Sequence, residues 1–246
     1  MVQLVGILNV TPDSFSDGGL FIDAKKAIEK AGQLFSEGAS IVDVGAESTR
    51  PGAIPLSEEL EWQRLEAVLR QLLGLYPGKI SLDTYKPGIV ARAFSIAPVI
   101  VNDVTGMNNP AMIDAVVKHG ATCIISHMDS TDIQATHEQK PTQSIEEVRD
   151  ALLAKAAKLI KLGHARDKII LDPGIGFGKS PELNAELLKF AEVVPDYPVM
   201  IGYSKKRFLG ENRFELAPNL AAGRTAATTG AAYLRVHDVK GHDANL

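Results

Sequence analysis

Eight short apolar runs recur along the 246-residue chain, and nearly every one ends in a polar residue able to do chemistry. Runs this short that are rich in valine and isoleucine are typical of strands buried on both faces. Amphipathic stretches separate most of them, which is the alternation of a parallel β/α fold. The pattern predicts one (β/α)8 TIM barrel domain over residues 1–246, a typical length for that fold. The runs are 4–8, 41–44, 80–82, 99–101, 123–125, 169–171, 199–201 and a last one that carries Arg235 and His237.

Helix-start signals lie between the runs at the expected places. Asp23 is expected to cap a first helix that begins at the next residue, and Ser57 is expected to cap the second. Ser144 and Glu147 form a capping-box pattern, and Ser180 precedes a proline at a helix start. Only residues 238–246 follow the last run, so the last helix is predicted to be short or missing.

Composition excludes several classes of function. The net charge of -4 provides no general basic field for nucleic acid or for a lipid surface. The single cysteine, Cys123, allows no internal disulfide and is expected to be a buried apolar residue. No apolar stretch approaches the roughly 20 residues of a membrane span. We expect a cytoplasmic protein with small-molecule substrates and with neither nucleic acid nor membrane as a partner.

Asp83, Asn102 and Asp172 each end a predicted strand. The carboxyl ends of barrel strands form one active-site face, so these three side chains are expected to come together. Two carboxylates and an amide suit a flat heterocycle with several N–H donors. The alternative is that each residue only caps the helix that follows it.

Positive charge is predicted on the same face. Arg50, Lys206, Arg235 and His237 could together hold a diphosphate. Asn9 could add an oxygen ligand for Mg²⁺, which favours oxygen donors and phosphates. Alternatively, Arg235 forms a structural ion pair, His237 is a hydrogen-bonded structural histidine, and Lys206 belongs to a solvated basic turn.

The glycine-rich segment 172–180 (DPGIGFGKS) is not a nucleotide-binding P-loop, because Pro173 stands where that motif needs its first glycine. Its glycines instead allow the backbone and Phe177 to approach a planar ligand closely.

Segments 6–19 (GILNVTPDSFSDGG) and 47–53 (ESTRPGA) resemble the signatures of the dihydropteroate synthase family. The resemblance implies condensation of 6-hydroxymethyl-7,8-dihydropterin diphosphate with p-aminobenzoate, with diphosphate leaving first in an SN1-like mechanism. It also implies Mg²⁺ as a cofactor and a homodimer. Further matching segments are 83–84, 102–103, 127–128, 172–179, 204–206 and 235–238.

The resemblance also implies residue roles. The pterin site would comprise Asp83, Asn102, Val104, Ser126, Asp172, Phe177 and Lys206. The diphosphate site would comprise Asn9, Arg50, Arg235 and His237, with Asn9 also facing the metal. The p-aminobenzoate site would comprise Phe15, Thr49, Pro51, Phe177, Lys206 and Arg207. The residues that act in the reaction itself would be Asp83, Lys206, Arg235 and His237.

Two substitutions depart from the family pattern. Lys205 replaces the usual arginine and loses its forked donor geometry, and Ser126 replaces the usual methionine. Three other functions stay open on the sequence alone. These are a methyltetrahydrofolate methyltransferase-type barrel, an aldolase-type barrel with a Schiff base at Lys206, and a non-catalytic pterin-binding homologue.

Overall fold

The computed structural model of the protein describes residues 2–11, 20–48, 53–128, 142 and 144–246. Eight parallel strands form a single sheet: β1 (Gln3–Asn9), β2 (Ala39–Gly45), β3 (Ile80–Asp83), β4 (Ile100–Asp103), β5 (Cys123–Ser126), β6 (Ile169–Asp172), β7 (Met200–Ile201) and β8 (Tyr233–Val236). Their spatial order is β6-β5-β4-β3-β2-β1-β8-β7. A bridge between Leu171 and Val199 connects the two outer strands, where Leu171 N donates to Pro198 O at 3.0 Å. The predicted (β/α)8 barrel is confirmed.

The helices follow the strands in alternation: α1 (Leu20–Ser36), α2 (Glu58–Leu75), α3 (Pro87–Phe94), α4 (Pro110–His119), α5 (Ile145–Lys161), α6 (Pro181–Glu186), α7 (Leu216–Thr228) and α8 (Val239–Asp243). Ser57, Ser144 and Ser180 cap α2, α5 and α6 as predicted. The expectation for Asp23 was wrong, because α1 begins at Leu20 and includes Asp23 in its first turn. A carboxylate is favourable both at a cap and in a first turn, so the residue type did not separate the two positions.

The last helix is short, as predicted, and it packs against β1. A 3₁₀ segment, Leu187–Val193, extends α6 without a sequence signal that predicted it. Cys123 is a buried free thiol, as expected. No helix in the described part of the chain is long and apolar enough to cross a membrane.

An apolar layer fills the lower interior of the barrel, separate from the larger core between the strands and the helices. Side chains alternate between the two faces of a strand, so the residue two positions further along also faces inward. On five strands that next residue is polar. The barrel interior toward the carboxyl ends of the strands is therefore the floor of a polar site. The apolar layer comprises Val5, Ile41, Ile124, Ile170 and Met200, with Ile100 and Tyr233 against them. The polar residues two positions on are Asp43, Asn102, Ser126, Asp172 and Arg235.

Candidate active site

Arg235 joins three strands at the floor. Its Nε donates to Asp43 Oδ2 at 2.6 Å and its Nη2 donates to Asp83 Oδ2 at 2.6 Å. Asn102 Nδ2 donates to the same oxygen of Asp43 at 3.1 Å. One guanidinium therefore organises two carboxylates and, through Asp43, an amide.

The charges at this junction shift one another's pKa. Burial raises the pKa of Asp83, while the nearby Arg235 lowers it and Asp43 raises it further. Burial by itself lowers the pKa of Arg235, but Asp43 and Asp83 raise it more, so the net shift is upward and the guanidinium stays charged. The floor thus holds a cation that donates to Asp43 through one nitrogen and to Asp83 through another.

Asp172 and Lys206 form the opposite wall. Asp172 Oδ1 accepts a hydrogen bond from Gly174 N at 2.7 Å. Burial raises the pKa of Asp172, and Lys206 opposes that rise. Burial lowers the pKa of Lys206 to about 8, with Asp172 acting in the opposite direction. The carboxylate of Asp172 can thus accept hydrogen bonds, and the nearby ammonium of Lys206 can donate them. A heterocycle that carries both donors and acceptors needs such a pair.

The glycine-rich loop after β6 brings Phe177 to this wall. Lys206 Nζ donates to Ile175 O and lies 4.8 Å from the centroid of the Phe177 ring. Gly176 has a φ of +85°, and a Cβ there would stand 2.9 Å from Lys206 Cδ. Lys179 Nζ donates to three backbone oxygens, of His127, Gly174 and Phe177, at 2.9–3.2 Å. Its charge stabilises the loop, in keeping with the interpretation that this segment is no phosphate loop.

The two lysines after β7 differ sharply. Lys205 is exposed and has a φ of 61°, while its backbone N donates to Asn219 Oδ1 at 2.9 Å. Lys206 turns inward to Asp172. Ser204 Oγ lies 3.0 Å from His237 Nδ1, which fixes the imidazole at the rim.

The structure brings together Asp83, Asn102, Asp172, Lys206, Phe177 and Arg235. Val104 and Ser126 are buried beside them on the same side of the barrel, and Arg207 is exposed. Asn9 ends β1, where it pairs with Gly45. The predicted residues Phe15, Thr49, Arg50 and Pro51 lie outside the described residues.

Asp43 is a site residue that the sequence analysis missed. Its side chain is fully buried, and its Oδ1 has no hydrogen-bond partner among the described residues. The available signal was an acid inside the apolar run 41–44, where an unpaired charge is costly. Asp43 lies inside its run, whereas the predicted acids Asp83 and Asp172 come directly after theirs.

The sequence profile of the "Pterin binding enzyme" family matches residues 5–237. Dihydropteroate synthase from Escherichia coli K12 is 36% identical over 245 residues, covering 97% of this chain and 87% of that protein. The Neisseria meningitidis serogroup C enzyme is 38% identical, covering 97% and 88%. The chain belongs to the dihydropteroate synthase family.

Solved dihydropteroate synthases share the fold closely. The Xanthomonas albilineans enzyme with 4-aminobenzoic acid has a TM-score of 0.89 and 34% identity, covering 99% of this chain and 90% of that one. The Burkholderia cenocepacia enzyme complexed with 7,8-dihydropteroate has a TM-score of 0.86 and 32% identity, covering 100% and 89%. These findings confirm the resemblance to the dihydropteroate synthase family that was based on segments 6–19 and 47–53.

Proposed function

We propose that this chain condenses 6-hydroxymethyl-7,8-dihydropterin diphosphate with p-aminobenzoate to give 7,8-dihydropteroate and diphosphate. The observation that carries the proposal is the group of polar side chains at the carboxyl ends of the strands: Asn102 and Asp172 are buried, Asp83 and Lys206 are half-buried, and together they offer hydrogen-bond acceptors and one cation. Relatives that carry this activity match nearly the whole chain.

Asp83, Asn102 and Asp172 would accept hydrogen bonds from the pterin N–H groups, and Lys206 would donate to its acceptor atoms. Gly202 lies beside this acid, since a Cβ built there would be 3.7 Å from Asp172 Oδ2, and as a glycine it places no side chain next to the carboxylate.

The bond that breaks joins the pterin methylene carbon to the diphosphate oxygen, and the electron pair leaves with the diphosphate. The amine of p-aminobenzoate then forms the new C–N bond and releases a proton. Arg235 and His237, with Arg50 and Asn9, would stabilise the departing anion, while the acids Asp83 and Asp172 would stabilise the developing cation. No side-chain nucleophile is required.

Among the described residues, the donor set fits Mg²⁺ as a substrate-bound ion. The described residues contain no cluster of three or more histidine, cysteine or acidic side chains that could hold a metal. Asn9 offers one hard oxygen at the strand end, and Mg²⁺ commonly takes one or two protein ligands and completes its shell with phosphates and water. When bound, the ion would neutralise charge on the leaving diphosphate.

The pair of Phe177 and Lys206 supports the placement of p-aminobenzoate. An aromatic carboxylate can pack its ring against Phe177 and direct its charge toward a basic side chain, Lys206 or the exposed Arg207. Phe15, Thr49 and Pro51 are proposed to complete this site on the family pattern.

The direct test is incubation of the purified protein with the pterin diphosphate, labelled p-aminobenzoate and Mg²⁺. Labelled dihydropteroate is expected, and EDTA should abolish its formation. Binding of the pterin without product would favour a non-catalytic pterin-binding homologue instead.

A further inference from the structure

Four polar side chains from alternate strands form one layer of the barrel interior: Asp43 on β2, Asn102 on β4, Asp172 on β6 and Arg235 on β8. Layers of four side chains from alternate strands are usual inside TIM barrels, where bulky apolar residues dominate them. The proposed chemistry uses Asn102, Asp172 and Arg235. It leaves Asp43 without a role.

Asp43 contacts both of its neighbours in this layer. Its Oδ2 accepts a hydrogen bond from Arg235 Nε at 2.6 Å and another from Asn102 Nδ2 at 3.1 Å. The Asp43 side chain is 0% exposed, whereas that of Arg235 is 21% exposed. A bound ligand can therefore reach Arg235, but it does not contact the acid that holds Arg235 in place.

The contact with Asp43 determines which end of the Asn102 amide is free. An amide group carries its donor Nδ2 and its acceptor Oδ1 on opposite sides. Because a carboxylate oxygen accepts hydrogen bonds, Nδ2 must face Asp43, and Oδ1 then points away from it. No described residue donates to Asn102 Oδ1. That oxygen is the acceptor that the proposed pterin site requires.

The same oxygen of Asp43 orients Arg235. Nε donates to Asp43 and Nη2 donates to Asp83 Oδ2 at 2.6 Å, so carboxylates on two strands fix the plane of the guanidinium. A guanidinium has five N–H donors in a rigid arrangement. Within the part of the chain that the structure describes, its remaining N–H groups have no partner. They stay available to an anion such as a diphosphate.

Stability is a poor explanation for an acid at position 43. Its Oδ1 has no hydrogen-bond partner among the described residues, and neither has Ser81 Oγ, which lies opposite on β3. An unpaired buried polar group is costly, and a buried ion pair adds little net stability because desolvation offsets its attraction. The remaining alternative is that Asp43 only neutralises Arg235. Removing the charge while keeping an acceptor oxygen separates that alternative from positioning.

We infer that Asp43 is a positioning residue for the pterin substrate: one buried carboxylate oxygen holds Asn102 with its acceptor free and Arg235 with its remaining donors free. The inference rests on the proposed function, which assigns Asn102 to the pterin and Arg235 to the diphosphate. Because the acceptor oxygen does the positioning, an amide at position 43 should largely replace the carboxylate. An apolar side chain should not.

The test is calorimetric affinity for 6-hydroxymethylpterin in Asp43→Leu and Asp43→Asn. Asp43→Leu keeps the branched shape and removes the acceptor, so Kd should rise by about 10- to 100-fold, as expected for losing a hydrogen bond to a charged group. Asp43→Asn keeps one acceptor oxygen, and its Kd should stay within about threefold of the wild-type value, the range of a neutral hydrogen bond.

The pH dependence of the same affinity gives a second readout. Burial raises the pKa of Asp83 to about 7, and the nearby charges are those of Arg235, which lowers it, and of Asp43, Glu61 and Asp103, which raise it. Ionised Asp83 is the better acceptor, so pterin affinity should rise with pH through about 7. Removing the charge of Asp43 lowers this pKa, so the rise should move to lower pH in both variants.

The alkaline side of the pH profile is an internal reference. The fall in affinity above pH 8 follows Lys206, and Asp43 is not one of the charges that shift the pKa of that lysine, whereas Asp83 is. The midpoint of this fall should therefore stay in place while the acid midpoint moves. A merely structural defect would move neither midpoint selectively.

Ser81→Ala is the matched control. Ser81 is fully buried and pairs with Asp43 in the β2–β3 register, but its hydroxyl has no partner among the described residues. The change alters the barrel interior beside Asp43 without removing a charge or an acceptor from Asn102 or Arg235. Its Kd and both pH midpoints should match those of the wild type.

A double-mutant cycle tests whether Asp43 acts through Asn102. Once Asn102→Ala is present, Asp43→Leu should raise Kd by less than about threefold. Additive losses, unchanged affinity in a folded Asp43→Leu protein, or an equal loss in Asp43→Asn would overturn the inference. Should Asp43→Leu fail to fold, Asp43→Ala takes its place with the same expected loss. Failure of both to fold would assign Asp43 to stability and overturn the inference as well.

The proposed function has a separate outcome. If the wild-type chain binds 6-hydroxymethylpterin but forms no dihydropteroate, the condensation activity is wrong. The affinities of the Asp43 variants then still decide whether Asp43 positions the pterin site.

Discussion

Lys206 is the side chain on which the proposed function depends most. Its ammonium attracts the carboxylate of Asp172, donates a hydrogen bond to the Ile175 carbonyl and lies over the Phe177 ring. Lys205, one position earlier, is exposed. The solvated basic turn considered as an alternative describes Lys205 and does not describe Lys206.

The two lysines form a matched pair for mutation. Lys206→Ala removes a preorganised donor from the site and is expected to lower turnover by about 10²–10³-fold. Lys205→Ala should keep turnover within a few-fold, because most exposed substitutions have small effects. Turnover and melting temperature of both variants check this. A dead Lys205 variant beside an active Lys206 variant would reverse the assignment.

The lowered pKa of Lys206 predicts opposite pH trends for binding and for stability. Because the folded-state pKa is about 8, the ammonium loses its proton as pH rises through 8, and pterin affinity should fall there. The unfolded chain keeps that proton until roughly pH 10.4, so between these values the unfolded state binds more protons and this group's contribution to stability rises with pH. Calorimetry and urea unfolding from pH 7 to 10 measure the two trends, and Lys206→Gln should lack both.

Helix starts near the site were largely predictable from the sequence, because short-range hydrogen bonds determine where a helix begins. Ser57, Ser144 and Ser180 gave three helix starts, since a side-chain oxygen that satisfies free helix N–H groups is a local requirement. Asp23 failed, because an acid suits both a cap and a first turn.

The loop after β6 shows how closely one element can approach another. Gly174 has a φ of +67°, and a Cβ there would lie 1.9 Å from His127 O. Gly120 ends α4 with a φ of +55° and has open space around the corresponding position. Both alanine variants bear the backbone cost of about 1–2 kcal/mol, so their difference isolates the contact.

Gly174→Ala should therefore lower the free energy of unfolding by about 1–3 kcal/mol more than Gly120→Ala, the usual range for overpacking. It should also weaken pterin binding, because Asp172 accepts its hydrogen bond from Gly174 N. Urea unfolding of both variants measures the first effect. Equal losses in the two proteins would show that the close approach does not hold.

The sequence predicted the barrel because the strand signal is repeated eight times along the chain. It predicted Asp83 and Asp172 because the fold places every strand end on one face, but it did not predict the floor acid Asp43. It did not predict that Arg235 pairs with Asp43, which lies 192 positions away. That partnership depends on β8 pairing with β1, whose other neighbour is β2, and no local pattern specifies it. The homodimer and Mg²⁺ stay predictions.

Barrel closure also predicts the behaviour of Cys123. The thiol is buried, and burial raises its pKa to about 12. A thiol reagent such as Ellman's should therefore react with the native protein only as fast as the barrel opens, and fully in denaturant. Rapid labelling of native protein would mean that β5 is accessible, contrary to the closed fold.

Calorimetry of pterin binding to Asp172→Asn is the sharpest test of whether the polar residues at the carboxyl ends of the strands bind the pterin. Loss of the charged acceptor should weaken binding by about 1–3 kcal/mol or more, which corresponds to at least a several-fold rise in Kd. Asp196→Asn, at an exposed ion pair with Arg166, is the control and should bind as the wild type does. A folded Asp172→Asn protein with unchanged pterin affinity would show that these residues do not form the pterin site.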